Sequence, residues 1–131
     1  MRKLAIDVQP EEYTALRLDP ATPVPAELLA SAGLVSVIRT EQELSVVCRS
    51  GSAQGLLAQR VEPGWRLLTV RGPLEFSLTG IMAMLAGTLA AAGVALFALS
   101  SFDTDHVLVK AGDLERAITA FREAGHEVNA G

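Results

Sequence analysis

Two short polar segments carry the residue types that could bind a small charged molecule. The first runs from Ser77 to Ile81, where an apolar helical periodicity begins, and the second runs from Ser101 to Asp105, between two apolar runs. A helix start presents unpaired backbone N–H groups and a partial positive charge, which suit a carboxylate. Aspartates in a turn suit an ammonium group. The sequence therefore predicts an anion-binding end and a cation-binding end.

Each of these residues also has a structural interpretation. Ser77 can cap the helix instead of contacting a ligand, and Gly80 can serve close helix packing. Asp103 and Asp105 can bond to the backbone of their own turn. The candidate ligand-binding residues are Ser77, Thr79, Gly80, Ile81, Ser101, Phe102, Asp103 and Asp105.

A catalytic or metal-binding role for the second segment is disfavoured. Ser101, Asp103 and His106 are the residue types of a hydrolase triad, but the sequence lacks the G-x-S-x-G elbow that exposes a serine nucleophile. Alternation along a strand would tend to send their side chains to different faces. Two nearby aspartates without a third carboxylate do not indicate a divalent metal. We expect a protein that is not an enzyme and has no metal or cofactor.

The run from Phe76 to Phe102 contains no charged side chain and is long enough to cross a membrane as a helix. Its internal pattern favours another interpretation, because apolar residues recur at helical spacing only as far as Gly93. The flanking charges are acidic, whereas a membrane span usually has Lys or Arg beside it. We predict a helix over residues 77–92, then a strand over 94–101, and no membrane span.

The second half of the chain predicts the order strand, helix, strand, strand, helix, strand. Asp113 is expected to cap the last helix and Gly125 to end it. This βαββαβ order makes an antiparallel sheet with both helices on one face, a ferredoxin-like arrangement. The predicted strands cover residues 65–70, 94–101, 106–110 and 126–128, and the predicted helices cover residues 77–92 and 113–124.

The first half predicts a degraded copy of the same unit over residues 13–61, with a strand at residues 3–8 before it. Three prolines between Asp19 and Pro25 shorten its first helix. Glu62-Pro63-Gly64 is a strong turn signal and the expected boundary. The expected fold is α+β with two ferredoxin-like βαββαβ units, residues 1–62 with shortened helices and residues 63–131.

Composition narrows the classes of partner and compartment. The net charge of -4 gives no electrostatic footprint for nucleic acid or for an anionic membrane. The single cysteine, Cys48, cannot form an intramolecular disulfide and lies in an apolar run, where a small buried side chain is expected. No apolar signal-peptide core follows Met1, so we expect a cytoplasmic protein.

The second half resembles the ACT domain family, and in particular its small tandem members related to the N-terminal part of the CASTOR-type amino-acid sensors. The resemblance rests on residues 65–74, 78–83 and 89–109, including Gly80-Ile81 and Ser101-Phe102-Asp103-Thr104-Asp105. In the first half, the resemblance lies only in the order of the predicted elements. The resemblance implies a degenerate ACT-like unit at 1–62 and an ACT domain at 63–131.

The resemblance also implies a function. ACT domains are usually regulatory modules that bind amino acids near the first loop and helix start, and they pair with other ACT units. The leading hypothesis is a non-enzymatic module that binds a small amino acid and forms a homodimer or pairs with another ACT-containing protein. The alternative is a structural interaction domain without a ligand, because a helix that is apolar nearly all round implies contact on both sides.

Overall fold

The computed structural model describes residues 3–74 and 80–131. The chain forms two compact units, a larger unit made of the residues up to Pro10 and from Arg66 onward, and a smaller unit of residues 11–65. This division differs from the expected one after residue 62, because the first strand folds with the second half of the chain.

The elements alternate between strands and short helices along the whole chain. Two 3-10 turns, at residues 50–53 and 111–113, add to them. In chain order the elements are β1 (Ala5–Val8), β2 (Tyr13–Leu18), α1 (Ala26–Leu29), β3 (Ser36–Arg39), β4 (Leu44–Arg49), β5 (Arg60–Val70), α2 (Ile81–Ala91), β6 (Leu96–Ser100), β7 (Asp105–Lys110), α3 (Leu114–Glu123) and β8 (Glu127–Asn129).

The larger unit contains the predicted βαββαβ order, from the end of β5 to β8. Its strands lie in the order β6-β7-β5-β1-β8. β1 was not expected in this sheet, yet it pairs antiparallel with β5 and parallel with β8, so that Ile6 lies opposite both Val70 and Val128. Because Ile6 is buried, the inserted strand also contributes to the core of this unit.

The smaller unit repeats the arrangement in reduced form. Its strands lie in the order β3-β4-β2-β5, and its elements follow the order strand, helix, strand, strand, 3-10 turn, strand. The first helix, α1, has only 4 residues, as the preceding prolines predict. A separate apolar core lies here and includes Leu18, Leu44 and Cys48, and burial raises the pKa of the Cys48 thiol.

Pro63-Gly64 lies inside β5 and does not form the predicted boundary turn. The pairing of β2 with β5 shifts register here, since Tyr13 lies opposite Trp65 and Ala15 lies opposite Glu62. One extra residue on β5 is the signature of a β-bulge, a place in a strand where proline and a positive-φ glycine are tolerated. Gly64 has φ 84°. The turn signal therefore marks an irregularity within a continuous strand.

Both long helices end as predicted. After α2, Gly93 has φ 73° and Val94 N donates to Leu89 O at 2.9 Å, which is the hydrogen bond of a Schellman motif. Gly125 ends α3 in the same way. Asp113 is the residue that precedes the first turn of α3, although its side chain accepts no capping hydrogen bond. The predicted start of α2 at residues 77–79 lies outside the described residues.

α2 has one buried face and one exposed uncharged face. Ile81, Leu85 and Leu89 are buried in the core of the larger unit. The exposed positions are Ala83, Gly87, Ala90 and Ala91. None of the helices in the described part of the chain is both long and apolar enough to cross a membrane.

Gly33 gives a direct test of packing in the smaller unit. A Cβ at this position would lie 2.5 Å from both Arg49 Nε and Tyr13 Oη, and φ is +79°. We expect Gly33→Ala to lower the free energy of unfolding by roughly 1–3 kcal/mol, because both the clash and the left-handed backbone disfavour a side chain. Chemical denaturation measures the change.

Gly51→Ala is the matched control, because nothing lies within 4 Å of its Cβ position and its φ is not positive. Gly51→Ala should change the free energy of unfolding by no more than about 0.5 kcal/mol. Equal effects of the two substitutions would contradict the packing described for Gly33.

Candidate functional site

The loop between β6 and β7 is held against the segment that follows β5. Ser101 N donates to Thr104 O at 2.9 Å and closes the tip of the hairpin. Thr104 Oγ1 donates to Val70 O at 2.6 Å, and Leu74 N donates to Asp103 O at 2.7 Å. These neutral hydrogen bonds fix the position of the tip without using the Asp103 carboxylate.

Gly72 allows this close approach. A Cβ on Gly72 would lie 3.0 Å from Asp103 O and 3.2 Å from Thr104 Cβ, closer than side chains ordinarily pack. The sequence alone predicts no role for Gly72. Its position between Arg71 and Pro73 is a turn signal, but that signal does not reveal which distant segment the turn contacts.

His106 joins β5 to the hairpin tip. Its Nδ1 lies 3.0 Å from Thr69 Oγ1, and its Nε2 lies 3.1 Å from Ser101 Oγ. The expectation that the side chains of Ser101 and His106 point to different faces is therefore wrong. Leu99 pairs with His106 in the hairpin, so Ser101, two residues further, is the diagonal neighbour of the histidine on the same face.

The hydrogen bonds around His106 do not make a hydrolase triad. Ser101 Oγ also donates to Thr104 O at 3.2 Å, so its single proton is committed there. The consistent tautomer has His106 donating from Nε2 to Ser101 and accepting at Nδ1 from Thr69. A protonated Nε2 cannot take a proton from the serine. Thr69 occupies the position where a triad would hold a carboxylate.

Asp105, Asp103 and Phe102 differ in their availability to a ligand. The Asp105 carboxylate accepts a hydrogen bond from Ser100 Oγ at 2.6 Å, a side-chain contact within the hairpin and not the backbone bond given above as its structural alternative. The Asp103 side chain makes no hydrogen bond or ion pair with any residue in the described ranges, and Phe102 is 81% exposed at the tip. Asp103 is thus the acid of the tip with an uncommitted carboxylate.

Gly80 stands at the start of α2 with a left-handed backbone. Its φ is 80°, its carbonyl accepts from Met84 N at 2.9 Å, and a Cβ placed on it would meet nothing within 4 Å. Ile81 is buried in the core of the larger unit, so its side chain is not available to a ligand. Ser77 and Thr79 lie outside the described residues, and their roles stay predictions.

No metal site emerges from residues 3–74 and 80–131, which contain no group of three or more His, Cys, Asp and Glu able to hold an ion. His126, for which the sequence suggested no partner, accepts a hydrogen bond at Nδ1 from Leu4 N at 3.0 Å. That contact joins the N-terminal segment to the end of α3. Its role is structural.

Residues 60–123 match the model of the ACT domain family. The whole chain is similar to a crystallised protein from Agobacterium tumefaciens, with 32% identity, a TM-score of 0.86, and coverage of 100% of this chain and 96% of that one. The chain belongs to the ACT domain family. This confirms the family resemblance, and the mixed α+β fold with few helices is that of an ACT-like protein.

A segment of 46 residues is 46% identical to the "Cytosolic arginine sensor for mTORC1 subunit 1" of Homo sapiens, covering 34% of this chain and only 14% of the sensor. This ACT protein is thus related to the CASTOR-type sensors. Aspartate kinase from Clostridium acetobutylicum shares the fold, with a TM-score of 0.64 and 14% identity over 92% of this chain and 34% of the kinase. The family and the sensor point to a regulatory module.

The buried surroundings of His106 predict a pH dependence of stability. Burial lowers the pKa of His106, and Asp105 opposes part of that effect. The unfolded chain then binds the proton more readily than the folded protein, so stability falls as pH decreases from about 6.5 toward the lowered folded pKa. Denaturation curves measured on both sides of this range should show the loss.

His106→Gln should show a smaller loss of stability on acidification than the natural protein. Burial also lowers the pKa of His126, so this residue contributes to the same pH dependence of stability. His126→Gln should remove only its own contribution and leave that of His106. If His106→Gln loses as much stability on acidification as the natural protein, His106 is not a source of the pH dependence.

Proposed function

We propose that this protein is a non-enzymatic regulatory module that binds a small amino acid in its larger unit. The observation that carries the proposal is the exposed start of α2 at Gly80, in the region where an ACT domain usually receives its ligand. A helix start favours an anion through its free N–H groups and its dipole. The absence of a Cβ at Gly80 leaves that backbone accessible, with nothing within 4 Å of the Cβ position.

The hairpin tip supplies the opposite charge in this proposal. The ligand carboxylate is received by backbone N–H groups near Gly80 and Ile81, with Ser77 and Thr79 as further contacts. The ligand ammonium is received by Asp103, whose carboxylate is uncommitted, while Ser101, Phe102 and Asp105 shape the tip. The order of elements supports a tandem arrangement, in which residues 11–65 are a second, reduced ACT-type unit.

The prediction that tests this function uses a panel of the common L-amino acids. At a ligand concentration about one hundred times Kd, binding adds about 2.7 kcal/mol to stability, enough to raise the melting temperature by several degrees. Gly80→Leu should abolish the shift, because the new side chain covers the helix start. A folded protein whose melting temperature responds to no amino acid at millimolar concentration would overturn the proposal.

Gly93→Leu is the matched control for Gly80→Leu. Both glycines have a positive φ and nothing within 4 Å of the Cβ position, and they stand at opposite ends of α2. The two substitutions therefore carry similar backbone strain, and only the one at the helix start should affect ligand binding. Equal loss of binding in both variants would assign the effect to helix stability.

The exposed face of α2 favours a second candidate, an interaction module that works without a ligand. Ala83, Gly87 and Ala90 are exposed on a helix that carries no charged residue, which suits contact with a second copy of the chain. If this candidate is correct, no amino acid raises the melting temperature, and the function is association with another copy of the chain. A homodimer through this face is also compatible with the amino-acid sensor.

Gly87→Glu tests the assembly. Nothing lies within 4 Å of the Cβ position of Gly87, so the folded monomer accommodates the change, and glutamate is a better helix former than glycine. We expect Gly87→Glu to turn an α2-mediated dimer into a monomer in sedimentation experiments. Gly112→Glu, at another open glycine outside α2, should leave the oligomeric state unchanged. A dimer that persists in Gly87→Glu would rule out this face.

A further inference from the structure

The smaller unit contains a cavity of about 410 Å³. Its lining brings together three places in the fold: the start of β2, the segment after α1, and the turn from β4 into the 3-10 helix. The polar side chains of the lining are Glu11, Glu12, Arg49, Ser50 and Ser52, of which Ser50 is bonded to Thr14. The volume lies in the range of small-molecule sites.

Arg49 has hydrogen-bonding capacity that the protein does not use. Its Nε is buried, and no acceptor for it exists among the described residues. A buried guanidinium donor without an acceptor is costly, and a carboxylate is the acceptor that guanidinium binds best. Arg49 lines the cavity, and its guanidinium is the cationic group there that an anionic group of a ligand can meet.

A second unused donor lies beside the first. Tyr13 Oη accepts a hydrogen bond from Leu34 N at 3.1 Å, and its own proton has no acceptor among the described residues. Tyr13 Oη and Arg49 Nε each lie 2.5 Å from the Cβ position of Gly33, so these two atoms are at most about 5 Å apart. Tyr13 Oη can accept as well as donate, but no hydrogen bond joins it to Arg49 Nε, which has no partner among the described residues.

The glutamates supply the opposite charge. Glu11 and Glu12 line the cavity, and neither side chain forms an ion pair with Arg49 in the described residues. Glu11 has φ 73°, a backbone conformation that is uncommon for a residue other than glycine. Its carboxylate is exposed at the cavity and free to meet a cation.

We propose that this cavity is a binding site for a small zwitterion, with the carboxylate of the ligand on Arg49 and its ammonium group on Glu11 and Glu12. The site lies entirely within residues 11–52. It is separate from the proposed site at Gly80 and does not rest on it. Ser52 is placed to donate a hydroxyl hydrogen bond to the ligand.

The experiment follows backbone amide resonances of the isotope-labelled full chain during titration with the common L-amino acids, and with acetate and methylammonium as single-charge probes. At least one amino acid should give saturable shifts at Ala32, Gly51 and Ser52, and should bind more tightly than acetate or methylammonium. If no probe moves these resonances at millimolar concentration, the site does not exist. Shifts at Gly80 and Asp103 report the other site independently.

Arg49→Met should weaken this binding at least tenfold, the expected loss for a charge-assisted hydrogen bond. Arg39→Met is the control, because Arg39 is an exposed arginine of the same unit outside the cavity. Glu11→Gln gives a second test should Arg49→Met fail to fold, with Glu41→Gln as its control. Unchanged affinity in folded Arg49→Met, or in Glu11→Gln, would overturn the assignment.

Discussion

Strand pairing in both units depends on β5. Its 11 residues supply partners for β2 in the smaller unit and for β1 and β7 in the larger unit. One strand can serve both units because the bulge at Pro63-Gly64 absorbs a residue without ending the strand. The loop that follows β5 then carries the contacts that hold the hairpin tip.

Local sequence signals predicted the features that depend on near neighbours. Gly93 and Gly125 end their helices because each Schellman motif needs a left-handed residue, and the short α1 follows from nearby prolines. The placement of β1 was not predictable in this way. Its pairing with β5 and β8 joins residues far apart in sequence, and an alternating pattern at residues 3–8 suits either unit. The turn predicted at Pro63-Gly64 was also wrong, because a Pro-Gly pair suits either a turn or a bulge and local sequence does not distinguish them.

The candidate site shows the same limit at the level of side chains. The sequence predicted the polar tip. Alternation along a single strand predicted that Ser101 and His106 point to different faces, but the register of the hairpin places their side chains in contact. Register between strands is set by the turn and by the buried faces together, and one strand alone does not contain it. The contact of Thr69 with His106 was not predicted, because nothing in the neighbourhood of Thr69 indicates that a histidine 37 residues later will contact it.

The two units hold their polar loops by neutral hydrogen bonds and leave selected charges uncommitted. In the larger unit, burial keeps the pKa of His106 low, so at neutral pH the imidazole contributes hydrogen bonds without a positive charge. In the smaller unit, Ser50 bonds to Thr14, and Arg49 makes no ion pair with Glu11 or Glu12. Exposed charges elsewhere do pair, as Arg71 does with Asp7 at 2.6 Å. Both proposed sites use such unpaired charges beside fixed loops, so binding there would require neither a broken ion pair nor a reordered loop.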